Sequence, residues 1–316
     1  MKTALDHPVT IIGTGFLRAA ILRRIATARP GATVRVLSTV PPAPVADLSI
    51  EHVNGPLTDL QAVYAAISGA DSIIHLGTGD AEVYGPNASG TATITSAAIS
   101  QNCRHVLFCS LPDVYGDGAG RLLDENDPLI PQTRLARAKV IGERLVEQFS
   151  MIPGRSSTVI RPFGLYGPGQ PAESTMGRVL TAAATGHPVI LPGGGTQLRN
   201  FTYCDDVAAG IVAALCRDNT DTAPHACYNI ASCETYSLRD AAKLAIKLIG
   251  STSTIAAPSP ARRRSGRVRP VTVQIPSVER AARELGFHAT TLLAEGISRC
   301  VLHDHAAAVM PDLVTA

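Results

Sequence analysis

The sequence contains no tryptophan, and aromatic residues make up only 4% of its 316 positions, so its core cannot be organised around large rings. With 45% hydrophobic residues overall, the core has to be aliphatic and rich in alanine. No apolar run approaches the roughly 20 residues that a membrane helix needs, so no membrane partner is expected. An excess of charge is also missing. Lys plus Arg number 28 against 26 Asp plus Glu, a formal +2, which argues against a nucleic-acid partner or an acidic tail. There is no Cys-x-x-Cys pair. The 7 cysteines are odd in number and scattered, as expected for reduced thiols in the cytoplasm and not for a disulfide frame. The opening "MKTALDHPVTII" enters a strand with no signal-peptide apolar region, which again predicts a cytoplasmic protein. "HDH" (His303 to His305) would need further ligands to hold a metal, and none is expected. The one basic run, "RRRSGRVR" (Arg262 to Arg269), has no interleaved aromatics. It reads as a solvated loop or as an anion-contacting loop over a ligand.

What the sequence does have is an alternation. "VTIIG" is an apolar run closed by glycine, and "FLRAAILRRIATA" has helical spacing. "TVRVLS" reads as strand two, and "LTDLQAVYAAISG" as a helix starting at Thr58 with a glycine stop. "DSIIHLG", "RHVLFCS" and "STVIRPF" are further buried strands, separated by helices in "NASGTATITSAAISQN" and around Lys139. Continuous apolar strands between helices mean a parallel sheet covered on both faces, and right-handed crossovers make it doubly wound. After Phe163 come loop-rich segments, the helix "DVAAGIVAALC", the strand "CYNIAS", the helix "SLRDAAKLAIKLIG", a Pro/Arg-rich stretch at 258–276 and a last helical region from near Ser277. The expected division is a dinucleotide-binding domain at 1–164, to which roughly 201–235 returns, and a smaller C-terminal substrate lobe from 165–200 and 236–316.

In "IIGTGFLR", Gly13 and Gly15 lie between a strand and a helix, where small residues let the backbone approach a pyrophosphate and the helix N-terminus offers free N–H groups. The third position of a Gly-x-Gly-x-x-Gly pattern holds Arg18, which brings a guanidinium near phosphate unless it merely extends to solvent. Strand two ends in neutral Ser38 and Thr39 in place of an acid, so a 2′-phosphate would not be repelled. NADPH is the expected cofactor, with NADH the alternative.

The segments "GTGFL", "GADSIIHLG", "NASGT", "CSLPDVYGD", "AKVIGERLV", "VIRPFGLYGPGQ", "TQLRNFTYCDDVAAGI", "CYNIAS" and "RAARELGF" resemble, in order and nearly end to end, the extended short-chain dehydrogenase/reductases, the NAD-dependent epimerase/dehydratase-like group. The resemblance implies an α/β fold, a Rossmann-type doubly wound parallel sheet with a smaller C-terminal substrate lobe. It also implies dinucleotide contacts at Phe16, Leu17, Leu57, Leu76, Gly77, Thr78, Cys109 and Pro162, with Lys139 holding the nicotinamide ribose. Asn87 matches a residue that ties helix to strand, and Arg199 one that often meets a sugar-nucleotide phosphate or braces a loop. Relatives of this kind commonly dimerise through two helices, here 88–101 and 133–149, so a monomer or a homodimer is expected.

The chemistry departs from the family. The catalytic Ser/Thr position of "CSLPDVYG" is Leu111, the proton-donating tyrosine position of "LARAK" is Leu135, and the substrate-side asparagine after "RPF" is Gly164. A positioned general acid contributes about 10²–10⁴-fold, whereas holding reactants in attack geometry supplies about 7–11 kcal/mol. Losing the tyrosine is therefore survivable, least painfully for a ketone that carries its own donor. The pattern resembles the superfamily's atypical reductases and implies an oxidoreductase of antibiotic or polyketide tailoring. Its partner would be an aromatic ketone, protonated by an adjacent phenol over an apolar wall of Leu111 and Leu135. Asp113, Tyr115, Tyr84 and Tyr166 are candidates for a relocated acid, although Tyr115 and Tyr166, in the motifs "VYG" and "LYG", suit packing better, and His75 reads as structural. The alternatives are a redox-inactive NADP(H)-binding regulatory protein and a nucleotide-sugar epimerase or dehydratase.

Overall fold

The computed structural model describes residues 5, 7–77, 84–118, 120–217, 224–257 and 273–309, with 84–87 and 305–309 as backbone only. Thr78, the side chains of Tyr84, Asn87 and His305, and the basic run Arg262 to Arg269 lie outside the described residues.

In chain order the strands are β1 (Val9–Gly13), β2 (Ala32–Ser38), β3 (Leu48–Asn54), β4 (Ser72–Gly77), β5 (His105–Cys109), β6 (Leu122–Leu123), β7 (Ser156–Pro162), β8 (Leu165–Tyr166), β9 (Val189–Ile190), β10 (Leu198–Asn200), β11 (Thr202–Tyr203), β12 (His225–Ile230), β13 (Thr235–Ser237), β14 (Ile255–Ala256) and β15 (Val273–Pro276). The helices are α1 (Phe16–Ala28), α2 (Leu60–Ile67), α3 (Tyr84–Ser100), α4 (Arg134–Ser150), α5 (Thr175–Ala184), α6 (Cys204–Leu215), α7 (Leu238–Ile249), α8 (Glu279–Leu285) and α9 (Leu293–Val309).

The seven-stranded sheet runs β12-β7-β5-β4-β1-β2-β3, all parallel. Its order reverses between β1 and β4, and the crevice outside that switch point is where open α/β sheets take ligands. Alternation along β1 feeds two cores. Ile11 packs with Leu17, Ile21, Val207 and Ile211 under α1 and α6, while Ile12 packs with Val63, Ile94, Phe108 and Val146 under α2, α3 and α4. Burying each of these aliphatic side chains contributes about 1.5–3 kcal/mol. A second, four-stranded sheet, β13-β10-β15-β6, lies beyond the strand ends.

Three details differ from the sequence expectations. Helix α2 begins one residue after Asp59, not at Thr58, because the Asp59 carboxylate accepts from the N–H groups of Gln61 and Ala62 and so caps it. Strand β3 is an addition: its residues alternate half-buried with exposed on the edge of the sheet, so it shows no continuous apolar run. Helix α5 is another, capped by Ser174 through the Gly177 N–H.

Candidate active site

The switch point is built from two glycine-ended strands. Gly13 of β1 pairs with Gly77 of β4 after a register shift. Gly15, at φ +100, precedes α1, and a Cβ placed on it would meet nothing within 4 Å. Helix α1 has no side-chain cap and no acid in its first turn. The open space over Gly15 beside uncapped N–H groups is the cradle a pyrophosphate requires, so this region fits a dinucleotide. Phe16 packs against the Gly167–Gly169 loop, and Leu17 turns its side chain into the core, leaving only its backbone for a ligand. Leu57 is buried under Gly90, and Pro162 closes the buried strand β7.

Arg18 does not extend to solvent. It is 8% exposed, and its guanidinium donates to Ser38 Oγ at 2.8 Å and to the Val40 carbonyl at 3.0 Å. Ser38 Oγ in turn donates to Val40 O at 2.7 Å, and His52 Nε2 stands 3.0 Å from the Ser38 carbonyl. Burial pulls the Arg18 pKa below the usual range. Thr39 is exposed beside this cluster. The end of β2 is thus held by a cation, a hydroxyl and an imidazole.

Across the switch point, Lys139 rises from α4 into full burial. Its Nζ donates to Cys109 O at 2.7 Å and to Leu76 O at 3.5 Å, the carboxyl ends of β5 and β4, and sits 4.8 Å from the Phe108 ring centroid. Burial lowers its pKa, against the pull of Cys109 and Glu143. His75 lies beneath: its Nδ1 accepts from Gly77 N at 3.2 Å and its Nε2 faces Thr91 Oγ1 at 2.9 Å. Burial and then the Lys139 charge bring His75 to about 3, so it is a neutral post that fixes the β4 turn. Leu135, one helical turn before Lys139, and Leu111, the residue that opens the 3-10 turn Pro112–Tyr115, are both half-buried, and α4 packs on that turn. Ser110, between Cys109 and Leu111, has a buried hydroxyl without a hydrogen-bond partner.

Both motif tyrosines are buried, and only Tyr115 has its hydroxyl bonded. Tyr115 Oη donates to Asn229 Oδ1 at 2.8 Å and accepts from Arg161 at 2.6 Å, and burial pushes its pKa up. Tyr166 is fully buried against Phe201 and Tyr203, with Gly296 close against its ring. Gly164, at φ +54, lies so close to the Asn200 carbonyl that a Cβ would collide with it, and its own carbonyl accepts from Thr202 N. A branched residue cannot stand there in this backbone, which accounts for the missing asparagine.

Asp113 sits at the seam of the two sheets. Gln274 of β15 donates to Gly116 O at 3.0 Å and Pro112 O at 3.3 Å, wrapping the 3-10 turn. Arg199 of β10, the direct register partner of Gln274, adds its charge. Burial raises the Asp113 pKa while Gln274 and Arg199 oppose the rise. Gln274, Ser110 and His52 were not among the residues expected from sequence. "CS" before Leu111 was a usable signal for Ser110, but nothing local marks Gln274. Among the described residues no cluster could hold a metal and no helix is long and apolar enough to cross a membrane. Cys103, Cys109, Cys204, Cys227, Cys233 and Cys300 are free thiols.

The profile of the NAD dependent epimerase/dehydratase family matches residues 9–231, and the chain belongs to that family. It is 27% identical over 248 residues to a dTDP-glucose 4,6-dehydratase of Streptomyces griseus, covering 76% of this chain and 73% of the relative. It is 25% identical over 175 residues to a 3beta-hydroxysteroid-dehydrogenase/decarboxylase of Arabidopsis thaliana, covering 52% of this chain and only 31% of that longer protein. Among solved structures, MoeE5 in complex with UDP-glucuronic acid and NAD superposes with a TM-score of 0.82 at 24% identity, over 94% of this chain and 99% of that one. DesIV, a dTDP-glucose 4,6-dehydratase from Streptomyces venezuelae in a double-mutant form with NAD bound, gives 0.80 at 21% identity, over 94% and 96%. At these identities the structural likeness establishes the fold.

Proposed function

We propose that the chain is an NADPH-dependent oxidoreductase that reduces a carbonyl on a nucleoside-diphosphate-linked sugar without a tyrosine acid. One observation carries the reading: Lys139 is buried and aligned at the ends of β4 and β5, while leucines hold both neighbouring acid positions. Gly13, Gly15, Phe16, Leu76, Gly77, Cys109 and Pro162 would line the dinucleotide, and Lys139 would hold its ribose. When bound, the dinucleotide supplies hydride at its nicotinamide. Arg18, Ser38 and His52 suit a 2′-phosphate, which supports NADPH over NADH. The substrate class is supported by the names of the relatives and by Arg199, the partly buried cation beside Asp113. Epimerisation and dehydration begin by deprotonating a sugar hydroxyl, and Leu135 removes the usual base. Ketone reduction needs only a proton source, and its loss costs about 3–5 kcal/mol. Residues 1–164 with roughly 201–235 would bind the dinucleotide, and 165–200 with 236–316 the substrate.

A second reading is favoured by the apolar pair Leu111 and Leu135: reduction of a hydroxy-aryl ketone, in the manner of the angucyclinone ketoreductase of simocyclinone biosynthesis, with the substrate's phenol giving the proton. The experiment follows the absorbance of NADPH with a thymidine-diphosphate 4-keto sugar and, separately, with a hydroxy-aryl ketone. Sugar-dependent consumption, with a melting temperature raised by thymidine diphosphate, is expected. Consumption with the aryl ketone alone selects the second reading. Dinucleotide binding with no turnover of either overturns both in favour of a regulatory NADP(H)-binding protein.

A further inference from the structure

A cavity of about 410 Å³ lies on the α4 side of the main sheet, between that helix, the strands β7 and β12, the loop after β6 and Arg280 of α8. It shares no residue with the dinucleotide cradle at Gly13, Gly15 and Gly77. We infer that it is a second binding site, for a small zwitterion of the amino-acid class. The ligand's ammonium or guanidinium group goes to Glu125 and Glu147, and its carboxylate to Arg144 and Arg280. The inference goes beyond the oxidoreductase reading and does not depend on any reaction at the crevice.

The volume lies within the range of about 300–1,000 Å³ in which small molecules are held. Three carboxylates and three guanidinium groups line it. One pair is already closed, since Glu143 accepts from Arg161 at 3.0 and 2.6 Å, and Arg161 spends a further donor on Tyr115 and the Glu125 carbonyl. Two groups of each sign remain. Among the described residues no ion pair joins Glu125 or Glu147 to Arg144 or Arg280. Arg280 donates to Asn126 Oδ1 at 3.2 Å, and a guanidinium has five N–H donors to give.

Glu125 supplies the independent sign of a missing partner. It is 6% exposed, and its Oε1 accepts from Asn229 N at 2.8 Å, while its Oε2 has no hydrogen-bond partner. Leaving a buried carboxylate oxygen without a donor is costly, and a ligand that brings an N–H group removes that cost. The opposite charges decide the class. A bare cation would be repelled by Arg144 and Arg280, and a bare anion by Glu125 and Glu147, whereas a molecule carrying both signs is complementary to all four. A metal ion is not the expected occupant, because among the described residues no group of side chains could hold one.

Isothermal titration of the full chain with L-arginine and with L-lysine, in the absence of dinucleotide, tests the site. Saturable binding of at least one is expected, with a melting temperature that rises with its concentration. Agmatine and cadaverine present the same cations without the carboxylate and should bind at least about tenfold more weakly. Glu125→Gln keeps an acceptor for Asn229 N but turns the free oxygen into a donor, so the amino acid should bind about 10–100-fold more weakly. Arg280→Gln, at a half-buried position, is a second variant that leaves the buried network intact. It should weaken the amino acid in the same way and leave agmatine unchanged. No saturable binding of either amino acid, or affinity unchanged in both variants, overturns the inference, as does agmatine binding as tightly as L-arginine. None of these readouts involves NADPH, so failure here and failure of the oxidoreductase reading are separate results.

Discussion

One face of α4 carries two opposite solutions, about two turns apart. At Glu143 polar groups saturate one another: its carboxylate takes both Arg161 contacts, at 3.0 and 2.6 Å, and Arg161 reaches on to Tyr115 and the Glu125 carbonyl. Asn229 completes the set by donating to Leu123 O and accepting from Tyr115. At Leu135, eight residues earlier on that face, there is no polar atom to satisfy. Lys139 stands between them and makes its bonds to main chain alone. The difference teaches that the polar residues of this helix divide by task. Those at Glu143 fasten α4 to β7 and to the loop before the helix, and they are costly to disturb. At Leu135 the helix carries an apolar side chain, and the fold does without a polar contact there.

The contrast breaks most visibly at the saturated end. Glu143→Ala leaves Arg161 buried without its partner, and thermal or urea unfolding should show a loss of about 3–5 kcal/mol. If the loss is below about 1 kcal/mol, the network is not the fastening described. Lys139→Met should spare stability but weaken NADPH binding by about 10–100-fold, the worth of a hydrogen bond to a charged group, as read by dinucleotide fluorescence. Equal affinity in the variant would mean that the ammonium serves only the strand ends. Leu135→Tyr puts a phenol one turn before Lys139 and sharpens the contrast. The reduction rate of a keto sugar should rise about tenfold or more while the melting temperature changes little. The smallest effect is at the start of the helix, where Thr133 Oγ1 accepts from Ala136 N at 3.1 Å; Thr133→Ala should cost about 1 kcal/mol without changing relative substrate rates.

How much of this was legible in the sequence follows from how far each contact reaches. The strands β1, β4, β5 and β7 show as unbroken apolar runs because helices cover both their faces. Strand β3, on the sheet edge with alternating exposure, leaves no such trace, and α5 is hidden behind "GPGQPAES". Gly13, Gly15, Lys139 and the two leucines could be placed because each belongs to a short motif. The partners that give them meaning could not. Gln274 meets the Asp113 turn from about 160 positions away in sequence, inside a stretch read only as Pro- and Arg-rich. Arg18 was legible as a cation, but its direction depends on Ser38 and on the backbone after β2.

The position of the Lys139 ammonium has a consequence for measured affinities. Before any ribose arrives, it already has an acceptor on Cys109 and a longer one on Leu76. Were Lys139 to take the ribose as proposed, binding would exchange one oxygen for another at the same nitrogen, so the contact would add affinity with little heat of its own. The displaced carbonyls at the tips of two strands would need new donors, and the edge of the crevice should relax slightly whenever cofactor enters.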